Sequence, residues 1–91
     1  MNKKKISYIP FYRDDTKVFT TYDLGASSAL VTLGYELLKI DKGQGSKALF
    51  LFEWSEDLVE SAQQYWNDAL QVSALSYFEA TRRVKNQLYS N

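Results

Sequence analysis

Apolar and polar positions along this chain change period several times, and each change marks an element. Lys17 to Tyr22 (K-V-F-T-T-Y) concentrates β-branched and aromatic types and predicts a short strand. Asp23 follows as an N-cap, its carboxylate placed near unpaired backbone N–H groups, and Leu24 to Leu33 reads as a helix. Ala26, Ala29, Leu30 and Leu33 share one face of it, and Gly34 supplies a left-handed stop. Gly25, Ala26, Ser27, Ser28 and Ala29 make this helix small-sided. That predicts a close backbone approach, on the protein's own sheet in the first instance and in a helix-to-helix dimer as the alternative. Gly25 costs about 1 kcal/mol of helix propensity relative to Ala, which close packing would offset.

Tyr35 to Asp41 reads as a second strand, Lys42-Gly43-Gln44-Gly45-Ser46 as a turn, and Lys47 to Trp54 as a third strand. In the third strand Ala48, Phe50, Phe52 and Trp54 alternate with Leu49, Leu51 and Glu53. Both faces are apolar until Glu53, so this strand is expected at the centre of the sheet. Ser55 caps a second helix, with Glu56 and Asp57 in its first turn. Leu58, Ala62, Tyr65, Trp66 and Ala69 form its apolar stripe, and Asn67-Asp68 marks a fraying end. After Leu70-Gln71-Val72, Ser73 caps a last helix running to about Tyr89, with Ala74, Tyr77, Phe78, Thr81, Val84 and Leu88 inward. Residues 1–16 sustain no period and hold the one proline, Pro10, which predicts a flexible or loosely docked arm. Residues 17–91 are then a single domain of order β-α-β-β-α-α, an α+β fold with a small sheet and central hairpin packed against helices. A crossover through the first helix is expected to be right-handed.

Composition narrows the chemistry. The chain has 91 residues with no His and no Cys, so His- or Cys-ligated zinc, a thiolate nucleophile, a Ser-His-Asp triad and disulfides are all excluded. No stretch reads as a secretory leader or a membrane span, and the absence of Cys suits a reducing compartment, so a cytoplasmic protein is expected. A carboxylate-only site from Asp41, Glu53, Glu56 and Asp57 is the catalytic option left open. Those positions are better explained by a turn and a helix start. No phosphate loop appears, because Gly43-Gln44-Gly45-Ser46 lacks the helix start and the Lys placement of a Walker motif. The expectation is a non-enzyme without metal or cofactor.

Eleven basic residues balance eleven acidic ones, yet the ends are basic and the middle acidic. Arg82, Arg83 and Lys85 lie within one turn of the last helix, and Lys3, Lys4 and Lys5 open the chain. With neighbouring aromatic rings these are candidate nucleic-acid contacts. The chain also carries two Trp, seven Tyr and five Phe, more rings than a small core hides readily. Tyr8, Phe11, Tyr12, Trp66 and Tyr89 are therefore candidate interface residues. Self-association or docking of a protein partner through an aromatic patch is the first functional expectation, nucleic-acid binding through the basic ends the second.

Thr21-Tyr22-Asp23-Leu24 with Ala26 and Ala29, Leu33-Gly34-Tyr35, Phe50-Leu51-Phe52-Glu53, Tyr65-Trp66, Val72, Phe78 and Lys85-Asn86-Gln87-Leu88-Tyr89 recur in a characteristic order. From about Thr20 to Ser90 the chain thereby resembles a family of short uncharacterised prokaryotic and phage-associated domains, a domain of unknown function. The resemblance implies a small cytoplasmic protein of cellular or phage origin and transfers no catalytic residue. The run from Leu33 to Glu53 is also similar, more faintly, to the helix-hairpin core of restriction-endonuclease-like nucleases. Glu53 matches the Glu of that family's Glu-x-Lys. Ser55 stands where its Lys belongs and Lys47 near where its Asp belongs, so the resemblance implies at most a degenerate, metal-free version of that fold.

Overall fold

The computed structural model describes residues 17–43 and 47–90. The arm predicted for residues 1–16, with Lys3, Lys4, Lys5, Tyr8, Phe11 and Tyr12, lies outside the described residues. The elements follow the predicted order: β1 (Val18–Thr21), α1 (Leu24–Thr32), β2 (Leu37–Asp41), β3 (Leu49–Glu53), α2 (Glu56–Trp66) and α3 (Ala74–Tyr89). The strands form a sheet of order β1-β3-β2, both edges antiparallel to the centre. β3 is the central strand, as its two apolar faces required. β1 and β2 consequently run parallel to each other with β3 between them, and α1 makes the crossover. A register shift between Leu37 and Lys39 marks an irregularity in β2.

Alternation along β3 sorts its side chains between two clusters. Phe50 and Phe52 join Phe19, Leu30, Leu58, Ala62 and Val84 in the main core, which draws on β1, β3 and all three helices. Leu49 and Leu51 meet Val18 in a second buried cluster to which none of the helices contributes. The helices therefore cover the phenylalanine face of the sheet.

Side-chain caps set where each helix starts. Asp23 Oδ1 accepts from the Ala26 N–H at 3.1 Å, Ser55 Oγ from Leu58 at 3.1 Å and Ser73 Oγ from Ser76 at 3.3 Å. Gly34, at φ 103°, ends α1, with its N–H on the Val31 carbonyl and the Tyr35 N–H on that of Leu30. These are the two bonds of a Schellman stop. α2 ends the same way, with Asp68 at φ 61° and the Asp68 and Ala69 N–H groups on the carbonyls of Tyr65 and Gln64. The Asn67-Asp68 end expected to fray is thus hydrogen-bonded shut.

Two helix faces differ from expectation. α1 has no single inward stripe: Ala26 through Leu30 are all buried, while Leu33, placed on the inner face, is the exposed C-cap. A helix buried nearly all round must be small-sided, and its close neighbours are α3 and α2 more than the sheet. Ser27 Oγ is buried without a hydrogen-bond partner, so the packing uses its small volume and not its hydroxyl. In α3 the inward side runs through Tyr77, Ala80, Thr81, Val84 and Leu88, whereas Ala74 and Phe78 face outward. Ala80, fully buried, lets α3 approach α1 where a phenylalanine would hold it off. The stripe's phase is set by this small residue and not by the largest one.

Candidate functional site

Asp23 ties three elements together. One carboxylate oxygen caps α1, and the other accepts from the Trp66 indole N–H at 2.7 Å. Thr21 Oγ1 in turn accepts from the Asp23 N–H at 3.0 Å, fixing the turn between β1 and α1. Trp66, a candidate interface residue, is half exposed, but its polar edge is committed to this clamp. Its neighbour Tyr65 lies against Gly25, where an added Cβ would overlap the Tyr65 hydroxyl. Glycine at that position makes room for the ring, which explains the helix propensity given up there. Tyr77 donates from α3 to the Gly25 carbonyl at 3.2 Å.

The Tyr65 phenol is pushed up from 10.0 to about 12, first by its hydrogen bond to Tyr77, then by burial, then by the nearby Tyr77 and Asp23. A folded-state value above the unfolded one means that the native protein holds this proton more tightly. Its contribution to stability is complete below about pH 10 and is lost as pH rises from 10 towards 12. We expect urea-unfolding free energies to fall more steeply across that window in the wild type than in Tyr65→Phe. Parallel curves would exclude the Tyr65–Tyr77 bond as a contributor.

The outer face of α3 is the second feature. Leu75, Phe78, Arg82, Lys85 and Tyr89 follow one another at i, i+3, i+7, i+10 and i+14, which places them within about 80° of arc and along about 21 Å of helix. All five are exposed, Leu75 to 65%, Phe78 to 58% and Tyr89 to 75%. The Arg82 guanidinium sits over the Phe78 ring, 5.9 Å from its centroid. Arg82, Lys85 and Tyr89 are thus brought together as the basic and aromatic residues of one stripe. Arg83 is not among them: it lines a separate groove beside Tyr35, Glu36 and Leu37.

Where α3 ends, three chain segments converge on an open groove of about 770 Å³. The β1–α1 turn brings Tyr22, Asp23 and Leu24, the β2–β3 connection brings Lys42, Lys47 and Ala48, and α3 brings Leu88 and Tyr89, with Phe50 beneath. The Lys42 ammonium donates to the Leu88 carbonyl at 2.7 Å, satisfying one of the carbonyls left open at a helix C-terminus. The Lys47 ammonium lies 5.5 Å from the centroid of the Tyr22 ring. Sequence reasoning treated Lys42 as part of a turn, Lys47 as the start of a strand and Tyr22 as the end of one. Nothing local signals that they meet.

The four carboxylates considered for catalysis sit at a turn and at element ends. Asp41 accepts from the Gly43 N–H at 3.0 Å, closing a turn, and Glu56 and Asp57 occupy the first turn of α2. Glu53 is exposed at the end of β3. Among the described residues no three acidic side chains come together as metal ligands. Nor, among them, is any helix long and apolar enough to cross a membrane.

A three-stranded antiparallel sheet covered on one face by three helices, clamped at Asp23, defines a small α+β domain. The chain belongs to the family described as a domain of unknown function (DUF5659), whose model matches residues 16–90. No curated protein and no solved structure matches it significantly. The match spans every element of the fold. Several residues that carried the likeness in the sequence are caps and core, Asp23, Gly34, Phe50 and Phe52, while Tyr65 and Trp66 pack and bond against Gly25 and Asp23.

Proposed function

We propose that this chain is a non-catalytic, cytoplasmic docking module whose exposed α3 face receives an acidic amphipathic helix of a protein partner. The observation that carries this reading is the single stripe of Leu75, Phe78, Arg82, Lys85 and Tyr89. Three large apolar groups in line on an exposed helix form the ridge that a helix partner packs against. Arg82 and Lys85 lie within that ridge, and Glu79 of the same helix flanks it. Acidic side chains on the partner would therefore meet the two positive charges of the ridge.

The same stripe argues against pairing with itself. A twofold contact between two copies of this face, centred on the stripe, sets Arg82 against Arg82 and costs like-charge repulsion. A heterologous partner is favoured over a symmetric dimer through α3.

The test is a titration, followed by amide chemical shifts, with a helical peptide of about 21 residues bearing a leucine ridge and glutamate flanks, matched to the stripe length. The expected result is saturable perturbation confined to α3's outer face, weakened about tenfold or more by Phe78→Ala, the scale of an interface anchor. Perturbation centred on α2, or none, overturns the proposal. Retention of single-stranded DNA on this face, with affinity collapsing between about 50 and 200 mM salt, reassigns the face to nucleic acid.

A further inference from the structure

We infer that the groove at the end of α3 is a binding site for a nucleoside phosphate, distinct from the helix-docking reading of α3's outer face, with which it shares Tyr89. Its composition is what such a ligand needs. Tyr22 and Tyr89 are 57% and 75% exposed, beside the buried Phe50. Exposed rings over an apolar floor offer a flat base a stacking surface without regard to its sequence. Two ammonium groups, those of Lys42 and Lys47, border the same space. Lys42 spends one N–H on the Leu88 carbonyl and keeps two for a phosphate oxygen. Lys47, resting on the Tyr22 ring, sits where a phosphate attached to a stacked nucleoside would find it.

Asp23, the carboxylate among the described lining residues, does not reverse this charge against Lys42 and Lys47. Both Asp23 oxygens are engaged by the fold, one by the Ala26 N–H and the other by the Trp66 indole. At about 770 Å³ the groove lies within the usual ~300–1,000 Å³ of ligand sites and holds a mononucleotide with space to spare. The convergence of three segments distant in sequence distinguishes it from a chance furrow along one helix.

The ligand chemistry has two sources, a free nucleotide or the phosphorylated end of a single strand, and one experiment separates them. The full chain, labelled with ¹⁵N, is titrated with AMP, adenosine, inorganic phosphate and a short 5′-phosphorylated oligodeoxythymidine. The expected result is saturable shifts at Leu24, Lys47, Ala48 and Tyr89 with AMP, several-fold weaker binding of adenosine, and weak, unsaturated response to phosphate alone. Lys47→Gln and Tyr89→Ala, both exposed positions, are each expected to weaken AMP at least fivefold while leaving the thermal transition unchanged. An oligonucleotide binding more than tenfold tighter than AMP identifies a strand end; equal or weaker binding identifies a free nucleotide. No saturable shift with any nucleotide, a response to phosphate equal to that for AMP, or binding indifferent to both substitutions overturns the site.

Discussion

Phe52→Ala is expected to remove about 3–5 kcal/mol of stability, the range for deleting a buried aromatic ring. Phe52 is fully buried in the central strand, opposite Phe19 on β1 and Leu37 on β2. Its cluster includes Leu30 of α1, Leu58 and Ala62 of α2 and Val84 of α3, so the ring joins the sheet to every helix. A domain of this size has only about 5–15 kcal/mol in total, often near the lower end. At about 4–8 °C per kcal/mol the midpoint of thermal unfolding should drop by at least ~12 °C. Leu51→Ala provides the contrast. Leu51 is nearly as buried, but among the described residues its cluster holds Val18 and Leu49 alone, on the sheet's other face. Its loss is expected near the low end for a buried leucine, about 2 kcal/mol. Should Leu51→Ala prove the more damaging, the mechanical centre of the domain would lie on the face away from the helices.

The contrast between those two residues was legible in the sequence, because period-2 alternation in Leu49–Glu53 assigns each to a face. The helix caps were equally legible, since Asp23, Ser55 and Ser73 each precede an apolar period and carry an acceptor at the right reach. Legibility failed where two answers fitted the same period. In α3, the expected stripe through Ala74, Tyr77, Phe78, Thr81, Val84 and Leu88 differs from the observed one through Tyr77, Ala80, Thr81, Val84 and Leu88 by less than one residue's rotation. Side-chain size favours the former, and only the tight α1–α3 contact, made possible by Ser27, Ser28 and Ala80, selects the latter. That same rotation exposes Phe78 and creates the candidate docking face, so the error about the core concealed the site. The groove was illegible for a different reason. Tyr22, Lys42 with Lys47, and Tyr89 belong to three separate stretches of chain, and their meeting is a product of strand order and helix docking.

Asp23 offers the sharpest test of how the fold is held at that meeting point. Asp23→Ala removes the α1 cap, worth about 1 kcal/mol. It also leaves the Trp66 indole without its carboxylate, worth about 1 kcal/mol more for a hydrogen bond at a partly exposed site. A total near 2 kcal/mol is expected from urea denaturation. Asp23→Asn separates the two roles. Its amide oxygen still caps the helix, but its NH₂ group donates and so fails to accept from Trp66 Nε1. About half of the loss should therefore return. Trp66→Phe removes the indole donor while leaving the cap intact. Combined with Asp23→Asn it should add little to their shared hydrogen-bond loss, giving a coupling near 1 kcal/mol in the double-mutant cycle. If the two substitutions instead add without coupling, the Asp23–Trp66 bond contributes no stability. The β1–α1 turn would then be fixed by its cap and by Thr21 alone, and Trp66 would be left with an exposed ring and no structural duty.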